Sequence, residues 1–472
     1  MHPVDTKPPL PQLIAGGLQH VAAMYAGVVA PPLIIGGAVG LSPGQLSLLI
    51  SASLLTAGLA TLLQTLGVWR FGARLPLVNG VTFATVAPVL AIVEQHGQQA
   101  SLGVVYGATL VAGALIVLAA PFFSRLTRFF PPIVTGTVIT LIGVSLLPVA
   151  VGWISQQEES ASGTNLLLAG ITLVAVLAFN RFLSGFWSRV ALLLGLVLGT
   201  LVAWPLGEVD TSTLAEAPAF GVVSPFHFGT PVFDIAAIIS MAIVALVIMA
   251  ESTADMLALG EIVDRPTSER TLADGLRADG FGTAVATLFG GFACTAFAQN
   301  VGLVALTRMV SRYVVAASGL ILVLLGMFPV AGGIVALVPQ PVLGGAGLVL
   351  FGSVAVSGLR TLAKASFERP ANVTIVAAAL GIGLIPIAAP EFYAGFPSAL
   401  RTVLDSGISA GCLAAVVLNL VFGDRVRRST TDAATASEPS DTPGTQDTAG
   451  TQDTAGPQGT PGTQGTAGDP AN

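Results

Sequence analysis

The chain has 472 residues, of which 9% are charged and 53% are hydrophobic. Soluble domains carry about 25% charged residues, so this chain has too few charges to cover a soluble globule of its size. The lack of a basic excess argues against a nucleic-acid binder, and two cysteines in separate apolar stretches argue against a disulfide scaffold. The composition therefore indicates a polytopic membrane protein.

The formal net charge of −6 comes from the C-terminal segment 429–472. From Ser429 onward the chain contains six acids and no Lys or Arg, which leaves 19 acids and 19 bases in residues 1–428. Its repeated units of Thr, Gly, Pro, Gln and Asp have little apolar area to bury. We therefore predict a disordered tail that contributes nothing to a substrate site.

Apolar segments recur about every 30 residues, each near the ~20 residues that a helix needs to cross hydrocarbon. We predict fourteen spans, at 14–38, 44–66, 75–93, 101–121, 130–151, 165–181, 187–206, 232–252, 275–293, 297–312, 314–338, 341–359, 371–389 and 402–423. With both termini in the cytoplasm, 18 of the 19 bases fall on the cytoplasmic side, and Arg401 alone falls outside. This distribution obeys the positive-inside rule and predicts a multi-pass protein of the cell membrane.

Fourteen spans divide into two sevens at about residue 207. An odd number of spans in each half gives the halves opposite orientation, which is the pattern of an inverted repeat. The third span of each half, 75–93 and 297–312, is short and rich in Gly, Thr, Asn and Gln. Paired short segments at corresponding positions predict a binding site near the middle of the membrane.

Three acids lie deep in apolar sequence: Glu251 and Asp255, one helical turn apart, and Asp279. A carboxylate inside a membrane costs ~2.5–3.5 kcal/mol on insertion scales, so its retention calls for a role. We interpret the three as a substrate and proton site. The alternative is that they neutralise one another or cap broken helices.

His20, in GGLQHVAAMYAG, is a fourth ionisable candidate. It either carries protons or shapes the site through a hydrogen bond between helices. Gln19 beside it is predicted to pack or to form a hydrogen bond.

Both short segments have the composition of an extended stretch followed by a helix. In the second, Gln299 and Asn300 offer donors and acceptors that suit a planar heterocycle. An extended chain before Gln299 would leave N–H groups at the start of the next helix to hold an electron-rich ligand. In the first, Asn79-Gly80 precedes the β-favouring Val81-Thr82-Phe83. The alternative for each is an ordinary Gly-rich helix contact.

These residues resemble the nucleobase–ascorbate transporters, also called the nucleobase:cation symporter-2 family. The family signature is matched by Gln299-Asn300-x-Gly302-x-x-x-x-Thr307-Arg308. Further matches, in family order, are Gln19-His20 in the first span, LPLVNGVTF in the third, Glu251-x-x-x-Asp255 in the eighth and Asp279 in the ninth. The resemblance covers residues 13–425.

The resemblance implies an all-α fold of fourteen transmembrane segments, built as a 7+7 inverted repeat with short extended strands in spans 3 and 10. It also implies a homodimer. The implied division is a cytoplasmic N-terminus (1–13), a core domain (14–121 and 232–338), a gate domain (130–206 and 341–423), an outer loop (207–231) and the tail (429–472).

The resemblance also implies residue roles. Glu251 and Gln299 would bind the base through their side chains, Phe83 through its backbone and Ala298 through its backbone amide. Glu251, Asp255, Asp279 and His20 would couple proton binding to substrate binding. The supporting residues would be Gln19, Asn300, Thr307 and Arg308.

The pair Gln299-Asn300 is similar to the xanthine and urate carriers, whereas uracil carriers of the family have Glu before the Asn and His in place of Asp255. Val301 departs from many purine carriers, which have a second Asn there. We therefore expect a proton-coupled symporter that imports xanthine or uric acid by alternating access, without a cofactor, metal or catalytic residue. The alternatives are a uracil or other pyrimidine symporter and, in a different class, an anion channel or exchanger of the same 7+7 architecture.

Overall fold

The computed structural model describes residues 2–123, 130–156, 160–209, 220–221 and 223–435. The predicted outer loop 207–231 lies partly outside these residues. The predicted tail 429–472 overlaps them only up to Thr435, where the last helix ends.

Helices account for most of the described chain. In the first half they are α1 (Leu10–Val39), α2 (Pro43–Leu66), α3 (Val86–His96), α4 (Gln98–Ala119), α5 (Pro132–Ser145), α6 (Leu147–Ser155), α7 (Gly163–Phe182), α8 (Phe186–Arg189) and α9 (Ala191–Ala203). In the second half they are α10 (Ile235–Ile262), α11 (Glu269–Leu288), α12 (Ala298–Thr307), α13 (Arg312–Gly326), α14 (Pro329–Ala336), α15 (Gln340–Leu362), α16 (Pro370–Ala388), α17 (Ser398–Leu404) and α18 (Gly407–Thr435). Strand β1 (Asn79–Val81) precedes α3, and strand β2 (Cys294–Ala296) precedes α12.

Every predicted span corresponds to helical structure. Among the described residues, eight helical stretches are long and apolar enough to cross a bilayer, and α13 with α14 forms a ninth that bends by 82°. The span predicted at 314–338 is thus broken, because Pro329 has no N–H to continue the helical ladder. The other five spans are short, interrupted or more polar, and they include the two segments in which β1 and β2 precede helices.

The two strands pair with each other in the buried interior of the protein. They run antiparallel, with Asn79 opposite Ala296, Gly80 opposite Thr295 and Val81 opposite Cys294. All six residues are buried. Extended backbone cannot satisfy its own polar groups inside hydrocarbon, so each strand needs the other. The predicted short strands in spans 3 and 10 are confirmed.

Hydrogen bonds at the two ends of β1 have equivalent bonds at the two ends of β2, with the two halves of the chain exchanged. The hydroxyl of Thr61 on α2 accepts from the Asn79 N–H at 3.0 Å, and that of Thr283 on α11 accepts from the Cys294 N–H at 3.0 Å. At the other end, Thr82 N donates to the Ala293 carbonyl at 2.9 Å. Its counterpart, Phe297 N, donates to the Val78 carbonyl at 3.0 Å. A twofold axis that relates the two halves would produce this exchange.

Two helix crossings follow the same exchange. A Cβ on Gly58 of α2 would lie 2.6 Å from the Gly319 carbonyl oxygen of α13, and one on Gly280 of α11 would lie 2.6 Å from the Gly113 carbonyl oxygen of α4. Because neither helix can retreat without losing contact along its length, these positions require the absence of a side chain. Small residues at such crossings let membrane helices pack closely.

An ionic cluster joins the N-terminal segment to three helix ends. The Asp5 carboxylate accepts from Arg312 Nε at 2.7 Å and from Arg265 Nη1 at 3.3 Å. Arg312 also donates to the carbonyl groups of Thr65 and Leu66, the last turn of α2, at 2.9 and 3.1 Å. The cluster therefore joins the N-terminal segment to the start of α13 and to the connection after α10. Through Arg312 it also joins the end of α2.

We predict that Gly58→Val and Gly280→Val each destabilise the folded protein by ~1–3 kcal/mol, since the new side chain must push apart two helices in backbone contact. Thermal unfolding in detergent, followed by size-exclusion chromatography, measures the effect. Gly170→Val in α7 is the matched control, because nothing lies within 4 Å of a Cβ there. Equal stability of all three variants would contradict the close crossings.

Candidate functional site

A cavity of about 590 Å³ lies where the two strand–helix segments meet α10, with α5 and α15 on the opposite side. It is within the ~300–1,000 Å³ range of small-molecule sites. Five of the predicted site residues line it together: Phe83, Glu251, Asp255, Ala298 and Gln299.

The start of α12 directs backbone donors into this cavity. The helix begins immediately after β2, and its N-cap residue, Phe297, has no side-chain oxygen to bond the first N–H groups. The first intrahelical bonds to Phe297 come from Asn300 and Val301. The N–H groups of Ala298 and Gln299 precede them, and both residues are exposed within the cavity lining. An uncapped helix N-terminus of this kind favours an electron-rich ligand.

The Phe83 side chain is held by aromatic packing. It is 8% exposed and lies edge-on to Phe351 of α15, with ring centroids 5.9 Å apart. Phe351 in turn packs against Trp153 at 6.2 Å. The ring thus anchors the turn after β1, while the backbone of this turn borders the cavity.

The three acids predicted from the apolar sequence occupy two positions. Glu251 and Asp255 line the cavity from α10, whereas Asp279 on α11 is fully buried behind β1. One Asp279 oxygen accepts from Asn79 Nδ2 at 2.5 Å and from Gln64 Nε2 at 3.2 Å. Within the described part of the chain, none of the three carboxylates forms an ion pair.

Ser252 connects the acid-bearing helix to the strand pair. Its hydroxyl accepts from the Ala296 N–H at 3.2 Å and lies 3.1 Å from the Thr295 hydroxyl. Asp279 reaches β1 through Asn79, and α10 reaches β2 through Ser252. Both strands are therefore bonded to elements that carry the acids.

His20 lies outside the cavity lining and binds Asn300. Asn300 Nδ2 donates to His20 Nδ1 at 3.0 Å and to the His20 carbonyl oxygen at 3.2 Å. An accepting Nδ1 places the ring proton of a neutral imidazole on Nε2. Both side chains are buried, so the pair joins α1 to the first turn of α12.

The remaining predicted support residues lie away from the cavity lining. Gln19 is half-buried on α1, next to His20. The Thr307 hydroxyl donates within its own helix to the Leu303 carbonyl at 2.8 Å. Arg308 ends α12 in the left-handed conformation (φ 57°) and borders a separate cavity with Glu261 and Asp264.

Residue-by-residue reasoning missed the opposite wall of the cavity. This wall comprises Ser353, Ser357, Arg360, Thr361 and Lys364 of α15 and its end, with Thr135 of α5. The spacing of the α15 residues is that of one helical face and could have revealed them. The positive-inside rule places Arg360 and Lys364 at the cytoplasmic ends of spans. It does not show whether such a residue faces water or a cavity.

Comparisons with known proteins identify the family. The model of the Permease family Xan_ur_permease matches residues 11–392. The chain is 44% identical over 434 residues to the uric acid transporter UacT of Escherichia coli (strain K12), covering 89% of each chain. It is 40% identical over 409 residues to the xanthine permease of Bacillus subtilis (strain 168), covering 86% of this chain and 92% of that one.

Among solved structures, the transmembrane domain of the cyanobacterial bicarbonate transporter BicA is similar, with a TM-score of 0.57 at 13% identity. The match covers 88% of this chain and all of that one. The predicted all-α polytopic fold of the 7+7 class is confirmed, and the protein is a transporter rather than an enzyme. The chain belongs to the permease family Xan_ur_permease, which is also called nucleobase:cation symporter-2.

Proposed function

We propose that this protein is a proton-coupled symporter that imports xanthine or uric acid across the cytoplasmic membrane by alternating access. The observation that carries the proposal is one cavity bordered by a carboxylate (Glu251), an amide (Gln299) and the free N–H groups of Ala298 and Gln299. An oxidised purine presents carbonyl oxygens and ring N–H groups in one plane. Donors from α12 and an acceptor from α10 complement those two kinds of edge group.

In this proposal the ligand is held between the two halves of the repeat. The Gln299 amide and the Ala298 N–H bind carbonyl oxygens, Glu251 accepts a ring N–H, and the backbone at Phe83 borders the other side. Xanthine and uric acid are substrates named for relatives of this chain. Gln299 supports them over uracil, since an amide both donates and accepts, whereas a carboxylate there only accepts.

Proton coupling is assigned to the acids and their neutral partners. Asp255 adjoins Glu251 in the cavity, and Asp279 is bonded to β1 through the amide of Asn79. Protonation of an acid removes a charge that is costly in a dry interior and changes which bonds that side chain can form. The proton gradient would thereby act on the strand pair that positions the substrate. His20, on α1, acts through its hydrogen bond to Asn300 in the first turn of α12.

The cationic wall of the cavity favours a substrate carried as an anion. Arg360 and Lys364 border the same space as the acids, and uric acid loses a proton readily in water. The same cations would also suit an inorganic-anion exchanger, which is the alternative function. The fold of this chain is similar to that of a bicarbonate transporter domain. Glu251 opposes that alternative, because a simple inorganic anion has no ring N–H group to donate to this carboxylate and offset their repulsion. The homodimer implied by the family stays a prediction.

We predict that Glu251→Gln and Gln299→Glu each reduce uptake of labelled xanthine or uric acid at least tenfold. Loss of a hydrogen bond to a charged group costs ~1.5–3 kcal/mol, which corresponds to about tenfold or more. Uptake into proteoliposomes measures it. Glu261→Gln is the matched control, on the same helix but outside the cavity lining. Unchanged uptake in both variants would reject the site, and competition by uracil but not by purines would favour the pyrimidine alternative.

Asp279→Asn is predicted to weaken the response to the proton gradient more than it weakens binding. The amide keeps the shape of the side chain but cannot take up and release a proton. Uptake is compared at equal pH and with an acidic exterior, with and without an uncoupler. Asp264→Asn, in the connection after α10, should keep the full stimulation; a normal response in Asp279→Asn would remove this residue from the coupling mechanism.

We expect Lys364→Gln to raise the KM for uric acid several-fold, because the lysine attracts the anion toward the cavity. Raising the salt concentration should lower wild-type affinity toward that of the variant. A KM insensitive to both changes would show that the cationic wall has no part in substrate capture.

A further inference from the structure

A second cavity, of about 280 Å³, lies on the other side of Gln299. It is bordered by α1, by the segment from the end of α7 to the start of α9, and by α15. Gln299 and Ser353 line both this cavity and the central one, so these two side chains form the partition between them.

The polar end of the second cavity is a cationic corner. Arg189 is half-buried there, with Ser188 beside it and Asn180 one helix away. Among the described residues, no carboxylate lies within ion-pair distance of Arg189. The Asn180 amide donates to the Val176 carbonyl at 3.2 Å, and its oxygen can accept a hydrogen bond from a ligand. A half-buried guanidinium without an acid partner is suited to a planar anion, which it can bind through two parallel N–H groups.

The opposite wall is apolar. On α1 it includes four small residues, Ala22, Ala23, Ala26 and Gly27, together with Met24. The four small residues lie at neighbouring positions of one helix and add little side-chain bulk to this wall. A fused aromatic ring can lie against such a face while its polar edge reaches Arg189.

We propose that this cavity is a second binding site for an oxopurine anion, occupied after the substrate leaves the central cavity and before it reaches the cytoplasm. The site rests on the proposed function for the identity of its ligand. Its position fits release, because Arg181 and Arg189 flank the connection between α7 and α9 on the predicted cytoplasmic side. Arg189 is the residue that distinguishes the ligand as an anion, and Gln299 passes it between the two sites.

The test uses the full-length protein in nanodiscs and the alkylation of an introduced cysteine, Ser188→Cys, by N-ethylmaleimide. Cys294 and Cys412 are buried, which leaves the new thiol as the reactive one. We expect uric acid to slow its alkylation, and to do so also when Glu251→Gln has weakened the central site. Adding Arg189→Gln should raise the uric acid concentration needed for protection about tenfold, since a charged hydrogen-bond partner is lost. Arg189→Lys, which keeps the positive charge, should restore part of the protection by uric acid.

Ser184→Cys is the matched control, because Ser184 lies in the same connection but outside the cavity lining, and uric acid should leave its alkylation unchanged. Protection of Ser188→Cys that disappears with Glu251→Gln would overturn the second site, since the effect would then come from the central cavity. Protection that is unaffected by Arg189→Gln would also overturn it. Uptake by the wild-type protein is measured in parallel: uptake without protection rejects the second site alone, whereas no uptake of xanthine or uric acid contradicts the proposed function.

Discussion

The structure depends on one requirement: extended backbone inside a membrane must have every polar group satisfied. Two interrupted spans meet this requirement by pairing β1 with β2, and hydroxyl groups of neighbouring helices bond the outer edges of the pair. N–H groups of both strands bond within the pair or to these hydroxyl groups, whereas the first N–H groups of the following helix have no intrahelical acceptor. At α12 no side chain caps them, and they border the central cavity. The same requirement thus shapes the fold and leaves uncapped N–H groups at the central cavity.

The acids belong to the same arrangement. Asp279 is bonded to Asn79 in β1, and Ser252, between Glu251 and Asp255, is bonded to Ala296 in β2. The acid-bearing helices α10 and α11 are therefore both bonded to one small strand pair, which leads directly into α12. Helix crossings without side chains, at Gly58 and Gly280, hold the helices around it at fixed distances. In the proposed mechanism, coupling is local and acts through these few hydrogen bonds.

Much of the site could be predicted from the sequence, for reasons that differ among residues. Charge in apolar sequence is rare, so Glu251, Asp255 and Asp279 were visible without a fold. Paired Gly- and Thr-rich short spans indicated the two strands. By contrast, Arg360, Lys364 and Arg189 lie near the ends of helices, where cations are common in any membrane protein. Only their position relative to a cavity distinguishes them, and that position depends on how α7, α9 and α15 pack.

The sequence by itself determined the membrane class, the fourteen segments and the identity of the buried acids, because the cost of charge and the length of an apolar span act on local sequence. The tertiary structure decided which partner each group has. It placed Asp279 against Asn79 rather than against another acid, and His20 against Asn300 rather than in the cavity. It also made Gln299 the partition between two cavities. These pairings join residues about 200 or more positions apart, so no local pattern records them.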